Sequence, residues 1–101
     1  MPKLYEYFGI SVYFYAGDHL PVHVHGRHGS SETIAEIITE NGKVVGIRYR
    51  KASQRRPLRG TARQHFVELV EAKTDEILQK WADIFVLNKT VKPEMLTRRI
   101  K

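Results

Sequence analysis

The sequence contains no cysteine, a single tryptophan and no long hydrophobic run among its 101 residues. The absence of cysteine excludes disulfide bonds and thiol catalysis. A membrane-spanning helix requires about 20 apolar residues, and no stretch of this chain approaches that length. No signal-peptide pattern is visible at the N-terminus. The length of the chain predicts a single domain over residues 1–101, and the lack of a long apolar run predicts no membrane partner.

Acidic residues are also absent from one long segment, between Glu40 and Glu68. The whole chain carries 17 Lys and Arg against 11 Asp and Glu, a net charge of +6, and this segment is its most basic part. Arginines in a loop before a helix suit phosphate binding, which predicts a nucleic-acid-binding surface. An acidic companion protein, or a solvated loop with no specific role, would fit the same charge. The predicted binding residues are Arg48, Arg50, Lys51, Arg55, Arg56, Arg59 and Arg63, and Lys43 belongs to the same basic stretch.

Hydrophobic alternation predicts the strands. Period two from Leu4 to Tyr15 indicates one long strand, and a second strand follows Pro21. The Asn41-Gly42 pair between residues 33–39 and 44–49 predicts a hairpin with a two-residue turn. On the long strand, one face is expected to hold Leu4, Phe8, Ile10, Val12 and Phe14, and the tyrosines take the other face.

A long helix is predicted after the basic loop. Thr61 is the expected N-cap, with Gln64 completing a capping box, and apolar residues recur at helical spacing to about Asn88. The basic tail from about Lys89 is expected either to fray or to add a short strand within residues 91–96. We therefore predict an α+β fold, in which one long C-terminal helix packs on a small antiparallel sheet of about four strands. Phe66 and Trp81 are expected in the core.

Four of the five histidines fall within ten residues. His23 and His25 are two apart on a predicted strand, so their side chains share one face and can converge on one ion. His19 supplies a third ligand for a divalent metal such as zinc, with Asp18 or Glu32 as oxygen donors. The same three histidines are the candidate catalytic residues, and a structural polar cluster is the alternative. His28 completes the group of four, and His65 on the helix is expected to be structural.

The segment DHLPVHVHGRHG, preceded by YFGISVYFYAGD and followed by VELVEAKTDEILQKWADI, resembles the bacterial family called domain of unknown function 4160. Members of this family have an aromatic first strand, followed by the motif Asp/Asn-His…Pro-Pro-His-Phe-His-Ala, a hairpin, and a helix that ends near Asn-Trp. This chain departs from that pattern where Val22 replaces the second Pro, Val24 replaces Phe, and His28 stands at a usually aromatic position. The matching positions are Asp18, His19, Pro21, His23, His25 and Trp81.

This resemblance implies a bacterial cytoplasmic setting and a partner protein encoded by a neighbouring gene, in an arrangement like that of toxin–antitoxin pairs. It implies no reaction. Two functions are therefore predicted: a nucleic-acid-binding or RNA-acting module of such a pair, or a non-enzymatic protein that binds an acidic companion. In the RNA-acting form, the histidines perform acid–base or metal-assisted chemistry while the arginines hold phosphates. The geometry discriminates between these two functions: the histidines and arginines either share one face, as the first function requires, or lie on opposite sides of the molecule.

Overall fold

The computed structural model describes residues 2–15 and 21–100 and has an α+β fold. Its elements are β1 Lys3–Tyr7, β2 Ile10–Tyr13, β3 Val22–His28, β4 Ser31–Glu40, β5 Lys43–Lys51, α1 Gly60–Ala72, α2 Thr74–Phe85 and β6 Glu94–Leu96. The strands form one sheet in the order β5-β4-β3-β2-β1-β6, in which neighbours are antiparallel except for β1 and β6, which are parallel. The predicted fold class is confirmed, but the described residues form six strands instead of about four, and two helices instead of one.

The predicted first strand is two strands joined by a tight turn, so that prediction was wrong. Phe8 and Gly9 form the turn with φ angles of 48° and 79°, which pairs Tyr7 with Ile10. A two-residue turn of this kind requires positive φ, and phenylalanine is an unusual residue for it. The reversal places Tyr5 opposite Val12, so the tyrosines of β1 share a face with the aliphatic residues of β2. The expected separation of these two groups is therefore also wrong.

The Asn41-Gly42 hairpin is confirmed. Both residues have positive φ, 51° and 78°, and they connect β4 to β5. The two strands are longer than predicted, and a bulge between Ile38 and Thr39 shifts their register near the turn. This hairpin gives the sheet its longest strand pair.

The predicted long helix is interrupted at Lys73, which has a non-helical φ of −110°. The Thr74 hydroxyl donates to the Val70 carbonyl at 2.7 Å, and that carbonyl would otherwise accept the Thr74 amide of a continuous helix. The helix also begins earlier than expected, because Arg59 is the N-cap of α1 and makes no side-chain capping hydrogen bond. The predicted Thr61–Gln64 capping box is therefore wrong.

Both helices pack against one face of the sheet. Phe66 of α1 is fully buried, and its ring lies over β3 so closely that a Cβ on Gly26 would be 2.5 Å from it. Phe85 of α2 contacts Phe14 with ring centroids 5.7 Å apart. The prediction for Phe66 is confirmed, whereas Trp81 is only partly buried and packs at the margin of the core.

The basic C-terminal tail returns to the sheet and supplies its sixth strand. β6 pairs in parallel with β1, placing Tyr7 beside Leu96. Further along, Arg99 forms an ion pair with the buried Glu68 of α1 at 2.6 Å, and the Ile100 amide donates to the Tyr7 hydroxyl at 3.0 Å. Of the two alternatives left open for the tail, the short strand is the one observed.

Candidate functional site: a histidine–glutamate–arginine face of the sheet

Polar side chains concentrate on the sheet face opposite the helices, which we call the polar face. Strand alternation assigns them to it: the valines and Gly26 of β3 face the helices, so His23 and His25 face away. Cross-strand pairing extends this face in both directions, because Tyr13 lies opposite His25 and Glu36 lies opposite His23. The polar face thus spans β2, β3, β4 and β5.

Glu32 is the centre of this face and is completely buried. One carboxylate oxygen accepts from the Tyr13 hydroxyl at 3.1 Å and lies 3.4 Å from Nε of Arg55. The other accepts from the Tyr15 hydroxyl at 2.9 Å and lies 3.0 Å from Nδ1 of His25. Four side chains therefore converge on a single carboxylate.

The charge of Glu32 is stabilised by these donors. Burial alone would raise its pKa, but hydrogen bonds from His25, Tyr15 and Tyr13 outweigh burial and lower the pKa below its ordinary value. Burial and the neighbouring Tyr15 and Glu32 raise the pKa of Tyr13 well above its usual range, so Tyr13 acts as a donor. An ionised carboxylate only accepts hydrogen bonds, which assigns the proton to Nδ1 of His25.

The two described histidines of the predicted site lie together. The ring centroids of His23 and His25 are 5.4 Å apart, which confirms that they share one face of β3. Nδ1 of His23 lies 2.9 Å from the Pro21 carbonyl, whereas His25 is only 2% exposed and packs against Tyr15 with ring centroids 3.8 Å apart. His25 is therefore buried, although it lies on the face of the sheet that is turned away from the helices. Burial follows from the aromatic residues that surround it.

Only part of the predicted metal site lies within the described residues. Asp18 and His19 lie outside the described residues, so the set of His19, His23 and His25 stays a prediction. Within residues 2–15 and 21–100, no three His, Asp or Glu side chains form a group that could hold a metal ion.

A second buried carboxylate organises two of the predicted arginines. Glu36 accepts from Nε of Arg48 at 2.9 Å and from Nε of Arg50 at 3.3 Å. Burial raises the pKa of Glu36, but the two guanidinium groups outweigh it and lower the pKa. Both arginine side chains remain substantially exposed, 70% for Arg48 and 49% for Arg50. They therefore project into solvent from a carboxylate held in the sheet.

The remaining basic residues do not form one patch with them. Arg63 lies on α1, on the helix side, with its guanidinium 5.3 Å from the centre of the Tyr49 ring. Arg56 and Arg59 line a cavity beside the start of α1. Lys51 is exposed at the end of β5, opposite Thr33. The predicted nucleic-acid-binding set is thus divided between the polar face, the cavity and the helices.

Sequence reasoning missed how central Glu32 is, since it named this residue only as an optional metal ligand. It also missed Tyr13 and Tyr15 as partners of Glu32. One signal was available: residues 34–38 of β4 are apolar except for Glu36, and Glu32 lies four residues before Glu36 on the same face. Buried carboxylates in such a strand require donors, and Tyr13 at the end of β2 and Tyr15 just beyond it supply two hydroxyl groups.

No curated protein and no solved structure matches the chain. In the described ranges, no helix has both the length and the apolar composition needed to span a membrane. The family model for domain of unknown function 4160 (DUF4160) matches residues 9–82, from the turn before β2 to the interior of α2. The chain therefore belongs to this family, domain of unknown function 4160.

Proposed function

We propose that the protein is a nucleic-acid-binding module whose binding surface is the polar face. The observation that carries this proposal is the position of Arg48, Arg50 and Arg55, which share the face with His23 and His25. Arginine binds phosphate through several N–H groups, and a sheet face presents a row of them at fixed spacing. Two glutamates offset part of this charge, but both are buried beneath the arginines.

The glutamates position the arginines for this role. Each carboxylate occupies one or two N–H groups of a guanidinium, and the guanidinium has five. The remaining donors of Arg48 and Arg50 are available to a phosphate. Because the side chains are already held, less rotational entropy is lost on binding than for unrestrained surface arginines.

Aromatic side chains add a second mode of contact. Tyr15 is partly exposed and packs on His25, and His23 lies beside them on β3. Bases of a single strand stack on such rings without regard to sequence. The polar face therefore combines phosphate contacts and stacking, which favours single-stranded nucleic acid.

We propose binding rather than cleavage. A general acid or base must reach the proton that it transfers, and His25 is 2% exposed. Its contact with Glu32 supports a structural role for the ring, which fixes the aromatic cluster. The RNA-acting, metal-dependent and toxin–antitoxin forms of this function stay predictions.

The test is a salt-dependent titration of labelled single-stranded RNA and DNA, followed by fluorescence anisotropy. The test variant Arg48→Gln/Arg50→Gln removes two charges from the polar face. The control variant Lys89→Gln/Lys92→Gln removes two charges from the exposed tail. Each phosphate contact contributes about −0.7 to the slope of log affinity against log salt on single strands.

We expect the slope of the test variant to flatten by roughly 1.4, and that of the control to change by much less. Equal effects of the two variants would show that net charge alone attracts the strand. An absence of binding to RNA and DNA at low salt would overturn the proposal and favour an acidic companion protein. Circular dichroism of each variant checks that it is folded.

A further inference from the structure

A cationic cavity of about 400 Å³ lies at the end of the sheet, beside the polar face. Its wall includes two arginines, a histidine and two hydroxyl groups, and none of the described residues that line it is acidic. Cavities of this size hold small molecules rather than water alone. The polar lining residues are His28, Ser31, Arg56, Arg59 and Thr61.

The loop that carries the arginines is anchored to β4. The Glu32 amide donates to the Arg56 carbonyl at 2.8 Å, and the Leu58 amide donates to the Thr33 hydroxyl at 2.8 Å. Leu58 is itself buried in the core. The backbone on either side of Pro57 is therefore held, and the cationic side chains extend from a fixed base.

The turn that carries the exposed ring of Phe8 lies beside His28, one residue of the cavity wall. Phe8 is 44% exposed, and its ring stacks on His65 with centroids 4.5 Å apart. A Cβ added to the adjacent Gly9 would lie 3.4 Å from the His28 ring, at contact distance. Phe8 also has a φ of 48°, a conformation that costs free energy in a residue other than glycine. An exposed aromatic ring on a turn that adjoins His28 suits base stacking.

Neighbouring residues of one loop connect the polar face to the cavity. Arg55 contacts Glu32 on that face, whereas the next residue, Arg56, lines the cavity. The end of a nucleic-acid strand bound across the polar face would therefore lie near the cavity.

We propose that this cavity binds a phosphate monoester of a nucleotide, with the phosphate held by Arg56, Arg59 and His28 and the base stacked on Phe8. This inference rests on the proposed function, because it makes the cavity the site for the phosphorylated end of a bound strand. A terminal monoester carries more negative charge than an internal diester and accepts more hydrogen bonds, which suits paired arginines. A nucleoside monophosphate in solution has the same chemistry.

The test compares oligonucleotides of one sequence that carry a 5′-phosphate, a 3′-phosphate or hydroxyl groups at both ends. Adenosine monophosphate is titrated separately by NMR. The site variants are Arg56→Gln/Arg59→Gln and Phe8→Asn, of which asparagine suits the positive φ of the turn. Lys89→Gln/Lys92→Gln again serves as the control for charge.

We expect one phosphorylated strand to bind roughly tenfold or more tightly than the hydroxyl strand, as for charge-assisted hydrogen bonds. The arginine variant should lose this preference while still binding the hydroxyl strand, and Phe8→Asn should weaken it. Equal affinity for all three strands would overturn the inference and leave the proposed function standing. Binding of adenosine monophosphate alone, lost in the arginine variant, would support the cavity while contradicting the proposed function. An absence of binding to every probe would overturn both.

Discussion

Glu32 is ionised although it is buried, because four neighbouring side chains stabilise its charge. Tyr13, Tyr15, His25 and Arg55 all contact its carboxylate, so its removal leaves several donors without their acceptor. Buried networks of this kind are costly when partly satisfied. At the scale of single residues, Glu32 is therefore the position where stability and the organisation of the polar face depend on the same atoms.

Replacing Glu32 with glutamine should destabilise the protein by about 2–4 kcal/mol at pH 7, because a neutral amide accepts fewer hydrogen bonds and introduces two donors. Urea melts measure this loss. The matched variant Glu40→Gln changes an exposed residue and should have an effect within about 0.5 kcal/mol. Similar losses for the two variants would contradict the central role of Glu32.

The lowered pKa of Glu32 also predicts a pH dependence. Because the folded-state pKa lies below the ordinary value of 4.5, the unfolded chain binds more protons in acid. The stabilisation from Glu32 is therefore fully present above pH 4.5 and is lost as the pH falls through the folded-state pKa. Glu36 and Glu76 shift in the same direction and add to this loss. We expect Glu32→Gln to show a shallower fall in stability below pH 4.5 than the unsubstituted protein.

At the scale of elements, contact between α1 and β3 depends on the absence of a side chain. Gly26 faces Phe66, and an added Cβ would lie 2.5 Å from the ring, closer than two carbon atoms can approach. Phe66 is fully buried and has little room to move. The glycine is therefore required for the helix to pack closely against the sheet.

A double-mutant cycle tests this contact. Gly26→Ala should cost about 1–3 kcal/mol through overpacking, and Phe66→Ala about 3–5 kcal/mol through the cavity that it leaves. The double variant should lose less than the sum, because the smaller side chain makes room for the new methyl group. Additive losses in denaturant melts would show that the two residues do not press against each other.

The two hairpin turns show how far the sequence predicts such elements. Asn41-Gly42 combines two residues that adopt positive φ readily, so the hairpin was predictable. Phe8-Gly9 has the same backbone form, but its first residue suits a strand, and alternation continued across it. The break between the two helices was not predicted for a similar reason: both Lys73 and Thr74 are acceptable within a helix. Local propensity fails where tertiary contacts determine the conformation.

At the scale of the whole molecule, the C-terminal tail adds the last strand at one edge of the sheet. β6 covers the edge of β1, and the residues that follow bring Arg99 to Glu68. Neither pairing follows from periodicity, because each joins residues that are far apart in sequence. The histidine face was predictable from i, i+2 spacing, whereas the division of the arginines between three surfaces was not. That division depends on which side of the sheet each element covers.

Removing residues 94–100 should therefore destabilise the whole domain rather than the tail alone. The deletion exposes the edge of β1 and removes Arg99, which forms an ion pair with the buried Glu68 at 2.6 Å. A domain of this size loses roughly 4–8 °C in Tm for each kcal/mol. Calorimetry should show a lower Tm for the deletion, while Met95→Ala, at a 69% exposed position, should leave it nearly unchanged. An unchanged Tm in the deletion would show that the tail is dispensable.

The central claim, that nucleic acid binds to the polar face, is tested most directly by NMR of the ¹⁵N-labelled protein with single-stranded RNA. We predict that backbone amide shifts change on β4, on β5 and in the loop of residues 52–59, together with the guanidinium Nε–H signals of Arg48, Arg50 and Arg55. The amides of α2 should remain unchanged, because that helix packs on the opposite side of the sheet. Shift changes confined to the helices, or no changes at low salt, would contradict the account.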